Sequence, residues 1–564
     1  MRPFSRLWNR ELVRFPSEPT RYTSLGIVVI ATIVLYYQLY LSGGVATDVI
    51  RDLNMSFVYY VNISVIGYAL GAGAALLAGL ADRYGRANIV TAGLAITGLL
   101  CTFALPNADS KFAFGAIYIA IGFVEGIILV ATPALVRDFS PQLGRASAMG
   151  FWTLGPVLGS LVVSAVVSSS SSTSTWQDQY VICGIVGLAV FALALVGLRE
   201  LSPRLRDQLM VSSKDRALIE ARASGLDLGD ALRRPFRQML RVDIIGSAFA
   251  ISVFLITYYV AVGFFPVFFE SIFGYTQSKA NALGNWFWSF NAGGLLIVGL
   301  ISDRVGVRKP FMVIGAVSAI VFTSIFALKA THPETAYSTF VVLLSLIAVS
   351  LGTAFAPWMA SFTETVERRN PALIATGLAV WGLVIRIVIA VSVFFVPKVV
   401  TTVTPLVEKG PVVAEVLADP TPVGGTTVGA VATAASENPT VIARLTEIEQ
   451  GGGKPSPADE KFLTTTAPKA LGAENLEALG KPTPALGEAL ETLQADGPEV
   501  AAAADESPGQ WRTYFFVGVG GEAVFIPLIF LMAGYWSPRR AREARAEHEA
   551  MIAAEMDKLK TSTA

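Results

Sequence analysis

Cysteine and histidine are almost missing from this sequence, with two of each in 564 residues. Cys101 and Cys183 both fall inside long apolar runs, so no disulfide framework can staple a domain outside a membrane. His332 and His548 lie outside such runs, so any proton relay within them has to use a carboxylate. Charge is sparse as well, at 15% of residues against about 25% in soluble domains, which excludes an ordinary globular protein. The formal net charge is zero and the bases are scattered, so no nucleic-acid partner is expected. No cofactor, metal site or catalytic set is expected either. GGGKPS, residues 451–456, fails as a phosphate loop because Ile448 stands where its first glycine belongs and Pro455 where Ser or Thr is required.

What is abundant is apolar sequence: 53% of residues, with a mean hydropathy of +0.56. Runs near 22–47, 55–81, 87–107, 112–136, 146–168, 179–198, 244–269, 280–302, 310–329, 337–361, 372–397 and 513–535 are long enough to cross a bilayer, twelve in all. Basic residues orient them. One side would collect five arginines before residue 22 together with Arg83, Arg86, Arg137, Arg145, Arg304, Arg308, Lys309, Arg368 and Arg369. The other would hold Arg51, Lys111, Lys279 and Lys329. Both termini are therefore expected in the cytoplasm of a multi-pass protein of the cell membrane. The first span is too long for a signal-peptide core, so no cleavage is expected.

The chain repeats itself. GLADRYGR (79–86) ends the second run, and GLISDRVGVRK (299–309) ends the eighth, with Asp303 221 residues beyond Asp82. A helix C-terminus suits Arg83 and Arg86 but not Asp82, so something other than that helix must want the acid. GFWTLG (150–155) in span 5 is matched by GLAVWG (377–382) in span 11. The organisation is a cytoplasmic segment 1–21, a six-span bundle 22–198, a connector 199–242 with two short helices, spans 7–11 at 243–397, an external insert 398–511, span 12 at 512–537 and a tail 538–564. Residues 398–510 hold one aromatic residue, Phe462, among 16 acidic and 7 basic residues. A partly helical, mobile flap is thus favoured over a compact domain. Asn438-Pro439, Ser456-Pro457 and Thr483-Pro484 each open a helix there, the last running toward Gly497.

LLAGLADRYGRA and VGLISDRVGVRK, each after the second span of a six-span half, resemble the loop motif of the major facilitator superfamily, over about 22–397 and 513–535. The resemblance implies an all-α membrane protein, twelve transmembrane helices in two pseudo-symmetric six-helix bundles, working on a small-molecule substrate. It further implies a gate. Asp82 would cap the N-terminus of span 11 beside Arg83, Gly85 would make the turn, and Arg86 would reach Asp138. Asp303, Arg304, Gly306 and Arg308 would act likewise, with Glu364 or Glu367 in the place of Asp138. Ala78, Ala87 and Asn88 depart from the motif.

Three ionisable residues interrupt spans near their middles: Glu125, Arg386 and Glu522. Charge in hydrocarbon costs about 2.5–3.5 kcal/mol, so each needs water or a partner. By resemblance, spans 1, 4, 7 and 10 line the cavity, spans 2, 5, 8 and 11 flank it, and span 12 is peripheral. Glu125 is the candidate proton carrier, and Gly122 stands where many members carry arginine. Arg386, always charged, suits an anionic solute; alternatively it and Glu522 form a static pair. Tyr36, Tyr37 and Gln38, Tyr258 and Tyr259, and Asn285, Trp286 and Asn291 are candidate substrate contacts. The expected function is secondary active transport of a small, anionic metabolite by alternating access with protons. GPVLGS (155–160), resembling the proton antiporters' motif in span 5, keeps a drug or metabolite exporter open; RELSPRL (199–205) resembles the sugar porters' motif instead. A different class, an envelope assembly or receptor protein using 398–511 to bind an envelope protein, also stays open.

Overall fold

The computed structural model describes residues 10–74, 84–139, 153–171, 173–202, 205, 235–370, 373–450, 456–544, 546–547 and 550. Twelve long helices lie in the twelve apolar runs: α1 (Glu18–Gly44), α2 (Phe57–Ala74), α3 (Arg86–Leu99), α4 (Lys111–Phe139), α5 (Gly155–Ser169), α6 (Trp176–Gly197), α7 (Val242–Phe254 and Ile256–Phe273), α8 (Gln277–Val305), α9 (Lys309–Lys329), α10 (Tyr337–Arg369), α11 (Ile374–Val399) and α12 (Pro484–Leu528). Among the described residues ten are long and apolar enough to cross a membrane. The described part of α5 has 15 residues, and the first half of α8 carries Gln277, Lys279, Asn281 and Asn285. Local chemistry sets the ends. Thr175 and Asp178 form a reciprocal capping box on α6. Thr276 caps α8, and left-handed Gly274 and Gly306 close α7 and α8.

The first half is knit by small residues. A Cβ on Gly126 of α4 would lie 2.3 Å from the carbonyl oxygen of Gly71 on α2, and one on Gly71 would lie 2.8 Å from that of Gly122, so backbone meets backbone here. α1 packs on α4, α5 and α6 around a core of Val28, Leu35, Val90, Leu94, Leu135 and Ala194. In the second half α10 packs on α8 and α9. An aromatic cluster joins α7 (Phe265, Phe268), α9 (Phe326) and α12 (Trp511, Phe515), with ring centroids 5.0–6.4 Å apart in the pairs that touch. The halves meet through α5 on α8, α2 on α11 and α1 on α7.

Residues Val400–Gln510 form a second compact unit. This corrects the expectation of a flap. Aromatics are not what packs it: Val423, Val428, Val431, Ala478, Leu486 and Ala489 make a core of small aliphatic side chains. Strands β3 (Pro422–Val423) and β4 (Thr426–Thr427) form a hairpin whose turn needs the positive φ of Gly424. The helix starts at Pro439 and Pro457 are where the sequence places them. The helix opened by Pro484 does not stop near Gly497; it continues to Leu528. A glycine in a helix costs about 1 kcal/mol, and the run of alanines from Ala501 to Ala504 favours continuation. Of the connector, β2 (Glu200–Leu201) and a short helix Pro235–Met239 are described. Most of the two helices expected there lies outside the described residues.

Candidate functional site

The duplicated loops are built alike. Gly85 turns with φ +93°, and a Cβ there would strike the Glu200 carboxylate. Arg86 then points inward and donates to both carboxylate oxygens of Asp138 at 2.8 Å, both side chains 9% exposed. In the second copy Gly306 has φ +77°. Arg308 donates to Asp303 (2.6 Å), Ser302 (3.0 Å) and Glu364 (3.2 Å), so Glu364 takes the place of Asp138. Arg304 is exposed. Asp82, Arg83 and the side chain of Glu367 lie outside the described residues. The sequence reading missed Glu200, which accepts the Arg86 backbone N–H at 2.7 Å. It also missed β1 (Glu11–Leu12), which pairs in parallel with β2 and ties the N-terminal segment to the connector.

Between the halves lies a cavity of about 250 Å³. Its wall comes from α1 (Tyr36, Leu39, Tyr40), α2 (Gly67, Tyr68, Gly71), α4 (Gly122, Glu125, Gly126), α5 (Pro156, Val157), the second part of α7 and Leu255 before it (Tyr258, Tyr259), α8 (Asn291, Leu295), α10 (Leu351, Phe355) and α11 (Trp381, Gly382, Ile385, Arg386, Ile389). No described residue of α3, α6, α9 or α12 lines it. The charged groups among its described lining residues are Glu125 and Arg386, one from each half. Glu125 is buried and neither carboxylate oxygen has a hydrogen-bond partner among the described residues. Arg386 makes no hydrogen bond or ion pair with a described residue. Tyr36 stands within electrostatic reach of both charges.

The pairing of Arg386 with Glu522 is not formed. Glu522 is fully buried, and its Oε1 accepts the hydroxyls of Thr257 (3.1 Å) and Thr323 (3.0 Å). α12 packs against α7 and α9, while the stripe 381, 382, 385, 386, 389 turns α11 toward the cavity. Helical phase separates the other candidates. Arg386, Glu125, Tyr36, Tyr258, Tyr259 and Asn291 share the cavity, with the Asn291 amide donating to the Ala348 carbonyl at 2.9 Å. Tyr37 and Gln38 face their own half, where Thr97 donates to Gln38 at 2.9 Å. Asn285 donates to Ser168, and Trp286 is 48% exposed. Tyr40, Tyr68, Phe355 and Trp381 were missed. Steps of one, four and five residues from Arg386 along α11 would have found Trp381.

On the face where α1, α5 and α7 end and α8 begins, the halves are tied by hydrogen bonds. Asn281 donates to the Gly44 carbonyl (2.9 Å), Asn285 to the Ser168 hydroxyl (2.9 Å), Ser278 to the Ser168 carbonyl and Gln277 to Asp48. Burial pushes the Asp48 carboxyl upward from its ordinary value, and Arg51 pulls it back.

A sequence model of the Major Facilitator Superfamily matches residues 28–393. "Probable anion transporter 3, chloroplastic" of Oryza sativa subsp. japonica is 25% identical over 243 residues, 40% of this chain and 44% of that protein. "MFS-type transporter MFS19" of Alternaria alternata is 26% identical over 273 residues, 43% and 52% of the two chains. The chain thus spans about half the length of these curated relatives. Among solved structures, a bacterial homologue of the human lysosomal transporter Spinster aligns over 92% of this chain and 98% of its own, with a TM-score of 0.56 and 16% identity. A D-xylose–proton symporter aligns over 66% and 90%, with a TM-score of 0.52 and 15% identity. At these identities the structures show a shared fold.

Proposed function

The chain belongs to the Major Facilitator Superfamily, whose members are membrane transporters and not enzymes, and from that premise we propose that it moves a small anionic solute together with a proton by alternating access. One observation supports this above the rest. Glu125 and Arg386 come from opposite halves, face one cavity and have no hydrogen-bond or ion-pair partner among the described residues. An unpaired charge in a poorly solvated site is costly and is kept where it meets a ligand or an ion. Glu125 can take and release a proton; Arg386 cannot, and so holds the anion. The duplicated loops would gate the face that carries the basic residues, with both termini in the cytoplasm of the cell membrane.

Reconstituted protein tests this. Under an imposed proton gradient the wild type should accumulate its solute. Glu125→Gln should lose accumulation yet keep solute exchange, because the amide mimics the protonated acid but releases no proton. Undiminished accumulation in Glu125→Gln would refute proton coupling at this residue.

A second reading attaches to 400–510. Its compact unit offers a folded surface to an envelope protein, and a co-purifying partner lost when the unit is removed would support it.

A further inference from the structure

Resting on the anion-carrier reading, we infer that the cavity is built for a hydrophobic monocarboxylate rather than a dicarboxylate, a phosphate or a sugar. The first ground is charge. Among the described lining residues Arg386 is the one cation and Glu125 the one anion. With Glu125 ionised and no solute, the pair sums to zero. With Glu125 protonated and a monoanion on Arg386, the sum is again zero. Both states that must swing between the two faces are then neutral, which lowers the cost of enclosing them in a medium of low dielectric. A dianion would leave one negative charge uncompensated in that enclosed state, and a neutral solute would leave Arg386 uncompensated whenever Glu125 is protonated.

The second ground is the distribution of donors. A guanidinium meets a carboxylate through two parallel N–H bonds. Trp381 lies five residues before Arg386 on α11, and its buried indole N–H has no partner among the described residues; Tyr258, on α7, has a buried hydroxyl likewise without one among them. Trp381 shares α11 and the cavity wall with the cation, and a donor there suits one anionic head. A sugar would need partners for every hydroxyl it buries. The lining has such groups in its five tyrosines and Thr153, so it is the charge balance, which leaves Arg386 uncompensated, that disfavours a neutral sugar.

The third ground is the rest of the wall. Leu39, Val157, Leu295, Leu351, Phe355 and Ile389 supply apolar surface, which suits an apolar body and gains from an aromatic contact with Phe355 where that body is aromatic.

The probes are benzoate, succinate, inorganic phosphate and xylose, each titrated against the purified full-length carrier in lipid nanodiscs by calorimetry and by thermal shift. Benzoate should bind most tightly. Its affinity should fall at least tenfold in Arg386→Ala and about threefold or more in Trp381→Phe, which keeps a ring and removes only the donor. Tighter binding of succinate or phosphate, still lost in Arg386→Ala, would overturn the monocarboxylate assignment and leave the anion-carrier reading intact. Benzoate binding that is indifferent to Trp381→Phe would also overturn the assignment. Binding of xylose alone, or of none of the four, would overturn both.

Discussion

The side-chain amide of Asn281, one turn into α8, donates to the backbone carbonyl of Gly44 at the C-terminal end of α1, 2.9 Å away and buried. That bond joins the two halves above a small void of about 20 Å³ lined by Tyr40, Ser164 and Gly284. Gln277, Asn281 and Asn285 recur every four residues, so one stripe of α8 carries a polar seam that the halves must break in order to part on this face.

Removing one member should therefore loosen this face. A buried hydrogen bond is worth about 1 kcal/mol, which shifts a two-state equilibrium roughly fivefold. A cysteine introduced at Ser164 should react with a membrane-impermeant thiol reagent a few-fold faster when Asn281→Ala is added, since the native cysteines are both buried. An unchanged labelling rate would show that the seam does not hold the face closed.

The two loop motifs differ in how deeply they are set, and so should their variants. Arg86 and Asp138 are both 9% exposed, whereas Asp303 is 67% exposed and Arg308 keeps Glu364 without it. Arg86→Gln should lower stability by about 1–3 kcal/mol, because it removes a charge-assisted hydrogen bond between two buried side chains. Asp303→Asn should cost under about 0.5 kcal/mol. Thermal unfolding in detergent compares the two, and equal losses would contradict the difference in burial. Asp82→Asn is expected to impair transport more than Asp303→Asn, as measured in vesicles at matched expression.

The helices in the twelve apolar runs, the paired loop motifs and the helix starts at Pro439, Pro457 and Pro484 were legible because each rests on local chemistry: apolar length, a repeated motif, proline at a first turn. Helical phase was not. In α1 the run Tyr36, Tyr37, Gln38, Leu39, Tyr40 puts polar aromatic side chains on every face, so hydropathy does not choose between the cavity side (36, 39, 40) and the buried side (37, 38). The partners of Glu522 were invisible for a related reason. Threonine hydroxyls in helices commonly bond back to their own turn, as Thr32 and Thr91 do here, and nothing in the sequence marks Thr257 and Thr323 as different. The insert misled because a scarcity of aromatics was read as a scarcity of core.

Since 400–510 has its own core, it should fold when expressed alone, giving a helical circular-dichroism spectrum and a cooperative thermal transition. Leu486→Asp, which places a charge in that core, should abolish the transition. A spectrum without helix in the excised wild-type segment would mean that it depends on the rest of the chain.

The last prediction separates the three intramembrane charges by what each is bonded to. Glu522 is held by two hydroxyls and is not bonded to Arg386, so it belongs to packing, whereas Arg386 has no hydrogen-bond or ion-pair partner among the described residues to lose. Glu522→Gln keeps a carbonyl oxygen for Thr257 and Thr323 and should be mild. Glu522→Leu strands both hydroxyls and should cost about 1–3 kcal/mol. Arg386→Ala should leave stability within about 0.5 kcal/mol, as is usual where no contact is broken, and should instead weaken solute binding. If Arg386→Ala were strongly destabilising and Glu522→Gln rescued it, the two residues would be coupled, and Arg386 would have to be withdrawn from the substrate site. Unfolding temperature and solute affinity, measured on these three variants and the Arg386→Ala, Glu522→Gln double change, distinguish the outcomes.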